Sequence, residues 1–237
     1  MTKKYKGNLF NSVRLKSIKT LILEIITAVL SVFLSGFLLY KGLYLIFFLT
    51  FVVEIFLNRY LIKKYRILKA GSRGELMVRN LLKKFPGKYK VFSDLEIEHN
   101  GRHAQIDNII FAPNVIFVLE VKNYSGNLYG NENMRELTKV SYYGDEKVKK
   151  TVYNPFFQVR THADVLRQLL RDNQIYAIVD SGVIFTGNNF NIKFELENEN
   201  AFFYDRNAKK EIIDKLKSYS RKYKYDKKTA IKVTLKK

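Results

Sequence analysis

The hydrophobic pattern divides the chain in two. Residues 21–40 are almost wholly apolar, and after Lys41-Gly42 the pattern resumes over residues 43–60. Each run is about long enough to cross a ~30 Å hydrocarbon core as a helix. The short gap between them predicts a tight antiparallel transmembrane hairpin over 21–60. A cleaved signal peptide is the competing reading of the first run. Against it, Glu24 interrupts the apolar region, no small-x-small cleavage site appears, and a second span follows at once.

From Gly71 the hydrophobic runs shorten and alternate with polar residues. Leu76, Val78, Leu81, Leu82 and Phe85 recur at helical spacing, Pro86-Gly87 stops that helix, and Ser72 with Glu75 forms a candidate capping box at its start. Strands are expected over 89–97, 104–111 and 115–121, with turns at Asn100-Gly101 and Pro113-Asn114, and shorter ones near 125–129 and 137–143. Asn154-Pro155 opens a helix to about Leu170. Strands over 175–179, 183–185 and 202–204 and a closing helix over 208–219 complete the series. Helix, strand meander, helix, strand, helix predicts a mixed α/β domain. The expected plan is a basic segment 1–20, the hairpin 21–60, a basic connector 61–70, a globular domain 71–219 and a Lys-rich tail 220–237.

Charge adds an orientation. The net charge is +20, with twelve Lys and Arg against two acids before residue 71 and thirty against twenty after it. Such an excess suits anionic partners, either nucleic acid or anionic lipid at the basic flanks. Lys3, Lys4, Lys6, Arg14, Lys16 and Lys19 precede the first run, and Lys63, Lys64, Arg66 and Lys69 follow the second, while the connection holds only Lys41. The positive-inside rule then predicts a two-pass protein of the cell membrane with both termini cytoplasmic and Tyr40 and Tyr44 at the outer interface. Glu24 and Glu54 fall at similar shallow depth, where pairing with Lys19 or Arg59 is favoured over a proton or ion site. Ser31, Ser35 and Gly36 permit close helix packing, so a homo-oligomer is open. The absence of cysteine excludes disulfides and Cys-based zinc sites.

The candidate chemistry lies at the end of residues 115–123, where an apolar run closes in Glu120-Val121-Lys122-Asn123. Strand side chains alternate faces, so Glu120 and Lys122 point the same way. Burying a charge costs several kcal/mol unless it is paired or binds a metal. Asp107, ending Gln105-Ile106-Asp107, and Glu120 would share one hard divalent cation, Mg²⁺ or Mn²⁺, with the Val121 carbonyl as third ligand. Lys122 would lie beside the attacking water, and Glu75 would complete the shell directly or through water. Singly, each motif is also what a surface ion pair, a strand-end acid or a capping box looks like; their order strengthens them together. His99, His103 and His162 lack metal-binding spacing, though His162 shares a helical face with Gln158. Tyr142-Tyr143 with Lys147, Lys149 and Lys150 is equally a nucleic-acid surface and a solvated hairpin. No glycine-rich nucleotide loop and no Ser/His/Asp arrangement appears.

Gly74-Glu75, Gln105-Ile106-Asp107, Glu120-Val121-Lys122-Asn123 and Asn154-Pro155 with Gln158 stand in the order seen in the nuclease-related domain (NERD), a branch of the PD-(D/E)XK nucleases. The resemblance covers roughly residues 71–185. It implies a restriction-endonuclease-like mixed sheet flanked by helices, and Mg²⁺-dependent cleavage of DNA phosphodiesters. It also implies a core of Glu75, Asp107, Glu120 and Lys122, with Gln158 near the lysine and the scissile phosphate. Asn108 departs from the pattern, because the family often has His there, and the membrane hairpin stands where relatives carry other modules. The leading expectation is a membrane-anchored, cytosol-facing nuclease that hydrolyses DNA with metal-activated water. The alternatives are a catalytically silent nuclease-fold module holding nucleic acid or anionic lipid at the membrane, and a small channel with a cytosolic regulator.

Overall fold

The structure, a computed structural model, describes residues 9–143, 145–197, 199–219 and 224–235. Lys3, Lys4, Lys6 and parts of the basic tail (residues 220–223 and 236–237) lie outside them. The chain forms two compact units, Leu9–Arg73 and Gly74–Lys237.

The first unit is helical. Helix α1 (Leu9–Tyr40) and helix α2 (Tyr44–Leu82) meet at Gly42, whose φ of +69° needs a residue without Cβ. Gly42 N donates to Leu39 O and Leu43 N to Leu38 O, the paired bonds of a Schellman turn. Both helices are long and apolar enough to cross a membrane. Phe33 is 75% exposed and Leu45 73%, whereas a soluble core helix would bury such side chains. The expected connector at 61–70 is not a separate element: α2 runs through it. That stretch has no proline and is rich in Leu, Lys, Arg and Ile, so nothing interrupts the hydrogen-bond ladder. Ser72 is therefore inside a helix rather than capping one, and Glu75 has no capping box to serve.

The second unit is mixed α/β, with two mixed sheets. The first has the order β1 (Lys90–His99), β2 (Arg102–Phe111), β3 (Ile116–Lys122), β7 (Val179–Phe185) and β9 (Asn200–Phe203). Its first three strands are antiparallel neighbours, and β7 and β9 continue parallel to β3. The second has the order β6 (Glu146–Tyr153), β5 (Glu136–Tyr143), β4 (Gly126–Tyr129) and β8 (Phe190–Ile192). Helix α3 (Pro155–Asp172) lies in the connection from β3 to its parallel neighbour β7; helices α4 (Ala208–Ser218) and α5 (Lys227–Leu235) follow β9.

Strand β3 shows how the core is shared. Ile116 and Val118 pack with α3 residues Phe156, Val159 and Leu166, while Phe117, Leu119 and Val121 pack with Val78, Leu82, Ile212 and Leu216 on the opposite face. A strand covered on both sides reads as a continuous apolar run, as this one does. Glu120 and Lys122 follow Val118 on the α3 side.

Three departures from the sequence pattern have local causes. Of the strands expected over 175–179 and 183–185, the first does not form before Val179, and the second begins earlier than expected: one strand, β7, runs from Val179 to Phe185 because Asp180-Ser181-Gly182 is not a turn. Asn200 donates to Ser181 O at 2.7 Å, and Gly182 leaves room for the Phe117 ring, 3.0 Å from where a Cβ would stand. Strands β6 and β8 had no counterpart in the pattern. The Lys-rich stretch read as a tail contains α5, whose Ala230 and Thr234 are buried, and Tyr225 just before it donates to Ala112 O at 2.7 Å.

Candidate active site

The site begins where β2 and β3 part. Their pairing ends at Asn108 opposite Leu119, so the next inward N–H on β3 lacks a strand partner. The Asp107 carboxylate takes that role: Val121 N donates to its Oδ2 at 2.7 Å. On β1, Asp94 faces the same irregularity with a φ of +67°. Around these two residues the alternation of faces shifts. Ile106 and Ile109 both join the α3-side core, while Ile110 joins the opposite one. The Asp107 side chain is thereby held between the strands.

Glu120 is 3% exposed and holds the centre of the site. Lys122 Nζ donates to its Oε1 at 2.6 Å, as alternation on one strand requires. His162 Nδ1 lies 3.6 Å from its other oxygen, just beyond hydrogen-bond reach, and has no other partner. Helix α3 delivers His162 and, one turn earlier, Gln158. Its start is fixed by Asn154, whose Oδ1 accepts from Phe156 N at 2.9 Å while its Nδ2 donates to Glu132 O and Met134 O. Asn154-Pro155 is thus a structural device that aims the helix, with proline in the first turn where no N–H is needed.

Glu75 arrives from the last turns of α2. Gly74 is what allows it: a Cβ there would stand 2.5 Å from Thr186 Oγ1 and 3.3 Å from Asn123 Cβ. Together Glu75, Asp107, Glu120, Val121, Lys122, Gln158 and His162 line one open cleft of about 530 Å³, with Glu96, His103 and Gln105 along the β1–β2 side.

The electrostatics follow from three carboxyls near one lysine. Burial first, and then Asp94 and Glu120, push Glu75 up to about 7, against the pull of Lys122. Burial and then Glu120 raise Asp107 well above the carboxylate range, despite the Val121 hydrogen bond. Burial would raise Glu120 too, but His162 and Lys122 outweigh it and hold it below the ordinary value. Burial pulls Lys122 down, yet the Glu120 contact and then Asp107 win, so it remains an ammonium at neutral pH.

Every sequence-derived site residue, Glu75, Asp107, Glu120, Lys122 and Gln158, lines this cleft, as does Val121. Glu75 had been given a capping role that it does not have. The Asn108 departure is accommodated inside the fold, where Asn108 is buried and accepts from Ser93 Oγ at 2.7 Å. His99 bonds Asp172 at 2.7 Å and does not line the cleft. His162 is the residue whose part was undervalued; its place four residues after Gln158 was the available signal. Among the described residues, no three His, Asp or Glu side chains form a ready-made metal cage.

Comparisons with known proteins agree with this geometry. Residues 70–186 match the model of the family described as "Nuclease-related domain". An "Uncharacterized protein" of Bacillus anthracis is 31% identical over 128 residues, covering 53% of this chain and 58% of that protein. The chain thus spans little more than half the length of this curated relative. No solved structure matches the chain. The match to the nuclease-related domain falls on the segment that builds the cleft, residues 70–186.

Proposed function

We infer that the protein is a membrane-anchored nuclease that hydrolyses phosphodiester bonds of DNA, with its α/β unit facing the cytosol. What carries this reading is the convergence of a buried Glu120–Lys122 pair and the Asp107 carboxyl on one open cleft. The anchor is inferred from the two long apolar helices and their basic flanks.

The donor set suits a hard cation although it is no closed cage. Mg²⁺ is commonly held by one or two carboxylates together with water and substrate phosphate. Burial first, and then repulsion among the carboxyls, raises Asp107 and Glu75, and a bound cation would relieve the repulsion. Asp107 and Glu120 would hold Mg²⁺ or Mn²⁺, with the Val121 carbonyl and with Glu75 directly or through water. When bound, the ion supplies Lewis-acid activation of water and charge neutralisation at the phosphate.

The remaining work falls to the chain. The Lys122 ammonium offsets charge that builds on the phosphate oxygens in the transition state. Where Glu75 is not a direct ligand, its carboxylate is placed to accept a proton from the attacking water. Water oxygen bonds to phosphorus, the P–O bond to one nucleoside breaks, and the leaving oxygen takes a proton from solvent. Gln158 orients water or phosphate, and His162 steadies Glu120.

The test uses the full chain in detergent with plasmid, linear and single-stranded DNA, in Mg²⁺, Mn²⁺ or EDTA. Metal-dependent cutting is expected, reduced at least about 10²-fold in Asp107→Ala and Lys122→Ala. Undiminished cutting by both folded variants would overturn the assignment. The lack of a three-ligand cage among the described residues favours a second reading, a silent module that holds nucleic acid. Salt-sensitive DNA binding without cleavage in any metal would select it.

A further inference from the structure

Strands β5 and β6 form a ribbon at the edge of the second sheet, and the ribbon carries four lysines, Lys139, Lys147, Lys149 and Lys150. The register places Lys139 directly opposite Lys150 on one face, while Lys149 pairs with Val140 and Lys147 with Tyr142 on the other. Like charges directly opposite each other destabilise a strand pair. Lys139 is also half-buried, and burial and then Lys150 lower its hold on the proton.

The Lys139 ammonium lies 5.5 Å over the ring of Tyr124. Tyr124 is two residues beyond Lys122, packs against Phe185 and Phe190, and is near enough to Lys122 to be influenced by its charge. Lys122, Lys139 and Lys150 therefore follow one another outward from the cleft, with Tyr124 between the first two. A small phosphate ester at Lys122 has no use for Lys150, whereas a polyanion running out of the cleft meets both ribbon cations and relieves their repulsion.

We propose that the Lys139–Lys150 face of the β5–β6 ribbon, with Tyr124, is the track that carries the phosphate backbone of a nucleic acid away from the cleft. The identity of the polyanion rests on the nuclease reading above; the charge arrangement does not. The opposite face provides a matched control, since Lys147 and Lys149 are equal in number, on the same ribbon and exposed.

Two double variants of the full chain in neutral detergent test this, Lys139→Gln with Lys150→Gln and Lys147→Gln with Lys149→Gln. Binding of a labelled duplex is measured in EDTA across a range of salt, and thermal melts confirm that each variant folds. Each phosphate contact contributes about 0.9 to the slope of log Kd against log salt, so the first variant should lose about 1.8 and the second none. Equal loss in both variants, or none in either, overturns the track. Stronger displacement of the duplex by phosphatidylserine in mixed micelles of the same detergent than by unlabelled duplex at equal phosphate also overturns it, and reassigns the face to lipid. Cleavage in Mg²⁺ is read separately. A chain that shows the asymmetry but cuts nothing keeps the track and loses the nuclease reading. A chain that cuts without the asymmetry does the reverse.

Discussion

The two sheets of the α/β unit treat charge in opposite ways. In the first, β3 is buried along its length up to Lys122, and Glu120 is held inside by a 2.6 Å contact with that lysine. In the second, β6 is exposed at every position but Val152, and its lysines reach water. A charge in the first sheet exists against a desolvation cost and needs a partner within the protein. A charge on β6 costs little, and its partners are sought outside. The same residue type thus serves an internal site in one sheet and a surface in the other.

The comparison breaks most readily at Glu120. Glu120→Ala leaves the Lys122 ammonium largely buried without its partner, and the expected loss of stability is about 3 kcal/mol. Lys150→Ala should change stability by no more than about 0.5 kcal/mol. Urea denaturation of both variants decides the matter, and similar losses would remove the distinction between the sheets.

Glu75 gives a pH signature to the same contrast. Its carboxyl is raised from 4.5 to about 7 in the folded protein. A raised carboxyl contributes stability that is fully present below about 4.5 and is lost as pH rises through about 7. Glu75→Gln removes that loss, so the variant should exceed the parent at pH 8 by on the order of 2 kcal/mol, reduced for the part of the carboxyl that water screens. Melts in EDTA between pH 5 and 8 check the sign. A gap that does not widen with pH would mean that burial and the neighbouring carboxylates do not hold Glu75 up.

The contrast also explains what the sequence could convey. Strand β3 was legible because burial on both faces leaves an unbroken apolar run, and the charged pair at its end stood out against it. Strand β6 was not, because a strand open to water on both faces has no burial to impose alternation: Glu146-Lys147-Val148-Lys149-Lys150-Thr151-Val152-Tyr153 carries no period. Glu75 was legible from its motif, but the helix start expected at Ser72 was not real, since a helix continuing through Ser72 depends on the absence of a stop rather than on any positive signal. The place of Asp107 beside Glu120 was legible from its motif, although it lies inside β2 and not at a strand end. Its hydrogen bond to Val121 was not, because that bond depends on where two strands separate. The approach of His162 to Glu120 needs the packing of α3 on the sheet, which spacing along one helix does not reveal.

His162 offers a smaller effect. With Nδ1 3.6 Å from Glu120 and no other partner, it should act through the position of Glu120 rather than through the fold. His162→Asn is expected to lower cleavage about tenfold and to raise the Mg²⁺ concentration needed for half-maximal rate. Duplex binding in EDTA should stay unchanged. If binding and melting temperature fall together with cleavage, the histidine is a packing residue and Lys122 alone governs Glu120.

The smallest expected effect lies at Gly74, outside the charged groups altogether. A methyl there would stand 2.5 Å from Thr186 Oγ1, a hydroxyl that is itself buried without a hydrogen-bond partner. A side-chain oxygen with no bond to lose can turn aside, so the strain in Gly74→Ala should be limited. The better helix propensity of alanine offsets part of it. A net loss of about 1 kcal/mol is expected. Because Glu75 is the next residue, the same strain should move its carboxyl relative to Asp107 and Lys122, so cleavage should fall severalfold while ribbon-dependent duplex binding is untouched. Loss of cleavage without loss of binding would separate the internal site from the surface once more, this time through backbone fit alone.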